Sequence, residues 1–191
     1  MKKIIIPLLA FVVLVAVVTV GASFYMLNFS LSPDPNRTDL DSAYTRLYQR
    51  MPDMKPWVDS MQSHGLLRDT FLNMPSGERH HALYFRSDSA HGRTAVLVHG
   101  YKDCAVKFLY LGRMYHRDLG YNVVMPDLHA HGLSEGDAIG MGWNDRLDVK
   151  RWTEMAAQTF ADSTHAPNIV VHGVSMGAAT TMCLSGEELP A

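Results

Sequence analysis

The stretch Val170–Met182, "VVHGVSMGAATTM", decides the fold: β-branched residues run into Gly173-Val174-Ser175-Met176-Gly177 and then an alanine-rich segment. It reads as a buried strand, a tight corner and a helix. G-x-S-x-G should occur by chance roughly 0.06 times in a chain of this length. In this context it predicts a nucleophile elbow, in which a strained turn exposes the serine and the glycines let backbones approach closely. A serine hydroxyl is a poor nucleophile alone and needs a base, normally a histidine oriented by a carboxylate. In this arrangement both partners are expected later in the chain, yet the last histidine is His172, and Glu187 and Glu188 follow Ser175 too closely to be the acid.

Working outward, "TAVLVHG" (94–100), "YNVVMPD" (121–127) and "NIVVHG" (168–173) are short apolar runs of the kind buried on both faces of a sheet. Two helix-period segments separate them. One is opened by Asp103 as N-cap, places Ala105, Phe108, Leu109, Gly112, Tyr115 and Leu119 on one face, and stops at Gly120. The other spans about Asp145 to Phe160, with Val149, Trp152, Met155, Ala156 and Phe160 as its stripe. The alternation predicts a parallel sheet whose ligands bind beyond the carboxyl ends of the strands. "RDTFLNM" and "HHALYFRS", around a "PSGE" turn, predict a half-buried antiparallel hairpin ahead of that sheet.

His99-Gly100-Tyr101 ends the first parallel strand. Acyl transfer creates an oxyanion, so the main-chain N–H groups of Met176 and Tyr101 are the candidate oxyanion hole. Asp127, His129 and His131 stand at i, i+2 and i+4, a spacing that could present three metal ligands. The segment leaves a strand at a proline and shows no further His/Asp/Glu cluster at ligand spacing, so a loop shaped by local side-chain hydrogen bonds explains it better. His172 reads as a satisfied histidine at a strand end.

Before the domain, Ile4–Leu27 carries no charge and as a helix would be roughly 36 Å long, against a hydrocarbon core of about 30 Å. Residues 1–30 are therefore expected to be an uncleaved anchor, with cleavage near Ala22 as the alternative. Lys2 and Lys3 on the short side place the N-terminus in the cytoplasm and the rest outside. Residues 31–66 read as a linker, "SPDPN", and two helices over Leu40–Arg50 and Pro56–His64. Residues 67–191 form the main domain. A net charge of −2 with both signs dispersed gives no footprint for nucleic acid, and two cysteines make no disulfide framework.

"LVHGYKD", "LGYNVVMPDLHAHGLSEGD", "GMGWNDRLDVKRW" and "VVHGVSMGAAT" resemble the α/β-hydrolase superfamily, and within it a membrane-anchored or secreted bacterial branch similar to serine-aminopeptidase-like hydrolases. "MKPWVDSMQSHGLLRDTF" resembles the same branch. The resemblance covers about Arg68 to Ala191. It implies an α/β fold with a mostly parallel sheet, Ser175 as nucleophile, Tyr101 and Met176 as oxyanion donors, a structural role for "DLHAHGLS", and no metal or organic cofactor. It also implies a triad acid and histidine on later loops, so the chain is expected to be the N-terminal part of a longer serine hydrolase of ester, thioester or amide bonds. The expected partners are a small-molecule or peptide acyl substrate and the membrane. A membrane-tethered binding module or pseudoenzyme is the alternative.

Overall fold

The structure, a computed structural model, describes residues 2–161 and 163–189. The chain divides into two compact units, Met1–Ser32 and Pro33–Ala191. The first is one helix, α1 (Lys2–Leu31). Its side chains from Ile4 to Phe29 are exposed all round, and it is long and apolar enough to cross a membrane. Its hydroxyls turn inward: Thr19 Oγ1 donates to Val15 O and Ser23 Oγ to Thr19 O, each at 2.8 Å. Neither leaves its hydroxyl unpaired on the helix surface.

The second unit begins with α2 (Leu40–Arg50) and α3 (Met54–Ser63). Asp39 caps α2 by accepting from Ser42 N at 3.0 Å. α3 starts two residues before the expected Pro56, which still lies in the first turn, where its missing N–H leaves no bond unmade. Five strands follow: β1 (Arg68–Asn73), β2 (Arg79–Phe85), β3 (Arg93–Val98), β4 (Asn122–Pro126) and β5 (Asn168–Gly173), in the order β1-β2-β4-β3-β5. β1 and β2 form the antiparallel hairpin, β2 runs antiparallel to β4, and β3 runs parallel to both β4 and β5.

Alternation along the strands sorts side chains into two cores. Leu83, Phe85, Ala95, Leu97, Val123 and Met125 pack with Ala43 and Leu47 of α2 and Val58 and Met61 of α3. Ala82, Val96, Val98 and Val124 face the other way, against Val149, Trp152 and Ala156 of α5 (Asp145–Thr159) and Met176 and Leu184 of α6 (Met176–Leu184). Helices thus cover both faces. This corrects the half-buried reading for β2, which lies inside the sheet with His80 to Leu83 all buried, while β1 at the edge stays partly exposed. β5 departs in the other direction: it pairs with β3 alone among the described residues, and none of its residues is fully buried.

The helix expected after Asp103 is also corrected. It is a 3₁₀ turn over Ala105–Phe108, then α4 (Leu109–Arg113), then a wide π turn over Met114–Asp118. The Asp103 side chain does not cap it. The first N–H, that of Ala105, is instead bonded at 2.7 Å by Asp127 Oδ1, brought in from the end of β4. Gly112 lets the segment press on the sheet, since a Cβ there would lie 2.9 Å from Met125 Sδ. The wide last turn closes with Leu119 N bonded to Met114 O and swings Leu119 out to 46% exposure, off the expected face.

Candidate active site

In the strand order the chain passes from β3 to β4 on one side and returns to β5 on the other, so β3 lies at the switch point where open α/β sheets bind ligands. Val98 pairs with Gly173, which sets the loop after β3 beside the corner after β5. In that corner Ser175 has φ 57° and ψ −120°, left-handed backbone rarely adopted outside glycine. Holding it there costs about 1–3 kcal/mol.

The flanking glycines show what compresses the corner. A Cβ on Gly173 would lie 2.0 Å from Gly177 O, and one on Gly177 would lie 2.2 Å from Val98 O. No side chain fits at either position. Ser175 is exposed, and its hydroxyl makes no cap bond to the helix it precedes. Met176 opens α6, so its N–H has no intrahelical partner. Across the cleft a Cβ on Gly100 would lie 3.2 Å from Ser175 Cβ and 3.7 Å from Oγ, which puts the His99–Tyr101 backbone against the serine.

The loop after β4 is closed by its own side chains. Asp127 is buried and accepts from His81 Nδ1 (2.7 Å), Ala105 N (2.7 Å) and Leu133 N (2.9 Å). His99 donates from Nδ1 to Gly100 O (2.8 Å) and accepts at Nε2 from Leu128 N (3.0 Å). His131 donates to His129 O (2.8 Å) and accepts from Lys102 N (3.0 Å). Arg37, from the segment before α2, reaches Gly132 O and Ser134 O.

Electrostatics follow these partners. Burial, then the neighbouring His99, push His131 down to about 4, so it is a neutral acceptor. Burial works against a charge on His81, but its bonds to Asp127 and to Asp69 (3.0 Å) outweigh burial and raise its pKa. Burial alone would raise the Asp127 pKa, and the hydrogen bond and charge of His81 lower it instead. Cys104 is pushed up to about 11, first by burial and then by the charge of Asp127, so it stays a thiol.

His172 bonds Tyr115 Oη at 3.0 Å through Nδ1. Glu187 pairs with Arg146 at 2.8 Å. Among the described residues no histidine hydrogen-bonds Ser175. The structure thus brings Ser175, Met176 and the Tyr101 loop together and commits Asp127 and His131 to structural bonds. It also brings His129 to Glu78 and His80, a cluster that sequence spacing did not find. The "GERHH" run that leads into β2 was the visible half of its signal; His129 joins it only through the β2–β4 pairing.

No family model matches the sequence, and no curated protein matches it. Solved structures do. Esterase Pf2001 of Pyrococcus furiosus aligns over 62% of this chain and 44% of its own, with 23% identity and a TM-score of 0.51. DcsB in complex with its substrate analogue aligns over 64% and 42%, at 14% identity and a TM-score of 0.55. ATU1826 of Agrobacterium tumefaciens, a protein of unknown function provisionally described as an α/β hydrolase, aligns over 63% and 55%, at 19% and 0.50.

The fold is that of the α/β-hydrolases. The chain spans about half the length of the solved structures it matches. Ser175 stands at the carboxyl end of β5, beside the switch point at β3.

Proposed function

We propose that this chain carries the nucleophile and oxyanion site of a serine hydrolase that cleaves ester, thioester or amide bonds. The observation that carries the reading is the strained, exposed Ser175 at the head of α6 with the Gly100 loop packed against it. Ser175 Oγ attacks the acyl carbon, the carbonyl oxygen takes the charge, and the N–H groups of Met176 and Tyr101 donate to it. A histidine takes the Oγ proton and passes it to the leaving group; water then releases the acyl group. The proposal assigns that histidine and its acid to chain beyond this sequence, because the described histidines beside the strand ends are committed elsewhere. Among the described residues one side of β5 is unpaired, which leaves room for further strands. Esterase activity in one structural neighbour makes carboxylic esters the first class to assay.

A fluorophosphonate probe applied to the full-length protein should label Ser175, and Ser175→Ala should abolish the label. Labelling that survives Ser175→Ala would overturn the assignment. The second reading, a membrane-tethered binding module without catalysis, is favoured by the unengaged hydroxyl of Ser175. A cooperatively folding protein that binds acyl ligands yet never labels would select it. In either reading α1 anchors the protein with its N-terminus in the cytoplasm and the domain outside. Intact mass of the membrane-extracted protein checks this, since cleavage near Ala22 would remove most of α1.

A further inference from the structure

We propose that Glu78, His80 and His129 form a binding site for a divalent transition-metal ion of the zinc class. The site is independent of Ser175 and of the acyl-transfer reading. Its residues come from the turn before β2, from β2 itself and from the loop after β4, and their ligand atoms lie within 4.8 Å of one another. Glu78 Oε2 stands 3.5 Å from His80 Nε2 and 3.1 Å from His129 Nδ1. Tetrahedral zinc with bonds of about 2.0–2.2 Å separates its ligands by about 3.3–3.6 Å, so both spacings are within a few tenths of an ångström of that geometry. Two imidazoles and a carboxylate suit zinc and its neighbours rather than calcium or magnesium.

The second, independent observation is His80. Its side chain is fully buried, and neither ring nitrogen has a hydrogen-bond partner. Buried polar atoms are nearly always satisfied, and the buried His81, His99 and His131 obey that rule at both ring nitrogens. His80 turns Nε2 toward Glu78 and Nδ1 toward the Asp148 carboxylate of α5, 3.5 Å away. An outer carboxylate behind a histidine is the usual way a metal-bound imidazole is oriented.

The frame is preorganised. Ala130 N donates to Glu135 O, Glu135 N to Arg79 O, and the Glu135 carboxylate accepts from Arg79 N, so the loop bearing His129 is stitched to the strand bearing His80. Gly136 folds over the far side of the His129 ring, where a Cβ would lie 2.6 Å from Nε2, leaving Nδ1 turned to Glu78. The Glu78 and His129 side chains are 31% and 21% exposed, which gives an ion a path in. Three protein ligands leave a fourth position for water.

The test strips the full-length chain in detergent with a chelator and titrates it with Zn²⁺ against a chromophoric competitor, with Co²⁺ in parallel. One equivalent of Zn²⁺ should bind, and Co²⁺ should show the intense visible bands of a four-coordinate site. Asp148→Asn should weaken Zn²⁺ by about 10- to 100-fold. His129→Ala, at a partly exposed position, should weaken it further and abolish the rise in thermal midpoint that Zn²⁺ gives the parent. His64→Ala, on the exposed end of α3, should bind as the parent does. Should His129→Ala fail to fold, Glu78→Gln gives the same readout. Zn²⁺ binding that is no tighter in the parent than in Asp148→Asn, His129→Ala and Glu78→Gln overturns the proposal and leaves His80 as a buried histidine balanced by two carboxylates.

Discussion

The corner after β5 and the loop after β4 both carry glycines and polar residues at the carboxyl end of a parallel strand, yet they treat their polar side chains oppositely. After β4 the side chains are consumed: Asp127 accepts three bonds, and His131 and Ser134 are tied to backbone. After β5 the corner is held by glycine backbones in contact, and its one polar side chain, Ser175, points outward with no cap bond. The difference shows where stability ends and chemistry begins. A polar group that shapes a turn is spoken for, whereas one held in strained backbone by its neighbours stays available to a substrate.

Substitutions can break that comparison. The largest effect is expected from Asp127→Ala, which leaves the His81 imidazolium short of a buried partner and strands the N–H groups of Ala105 and Leu133. A loss of about 3–5 kcal/mol in urea unfolding is expected, and a loss below 1 kcal/mol would mean the loop is held by something else. Gly177→Ala comes next, because its Cβ would lie 2.2 Å from Val98 O. Overpacking against fixed backbone should cost about 1–3 kcal/mol and should pull the corner away from β3.

Ser175→Gly should act in the opposite direction. Relief of left-handed strain at φ 57° should stabilise the protein by about 1 kcal/mol while removing the proposed nucleophile. A thermal midpoint that falls instead would show the hydroxyl to be structural, like those after β4. The smallest effect is in pH. His81 has a raised pKa, so its contribution is complete below the unfolded value of about 6.5 and is lost as pH rises through the higher folded value. Asp127 has a lowered pKa, so its contribution holds above about 3.9 and is lost as pH falls through the lower folded value. The unfolding free energy from urea titrations should therefore decline on the alkaline side with a slope of at most about 1.4 kcal/mol per pH unit, and His81→Gln should flatten that arm.

Much of this was legible in the sequence. α2 spans Leu40–Arg50 as its periodicity predicts, the three apolar runs are the three parallel strands, and Gly173 and Gly177 stand where a side chain cannot. The misses share a cause. Alternation in "HHALYFRS" predicts one wet face, but β2 became an inner strand with helices over both. Asp103 looked like a cap, but the cap arrived from Asp127. The Glu78–His80–His129 cluster needed the pairing of β2 with β4 to exist at all.

The sequence by itself determined what each segment demands of its own backbone: strand or helix from the period of apolar residues, and a corner from glycines with no room for a Cβ. Only the tertiary structure decided which polar side chains are spent and which are left over. Partners such as Asp127 and Ala105, which share a hydrogen bond, or His80 and Asp148, whose charged groups face each other at 3.5 Å, lie far apart in the chain, and no local pattern records who will meet.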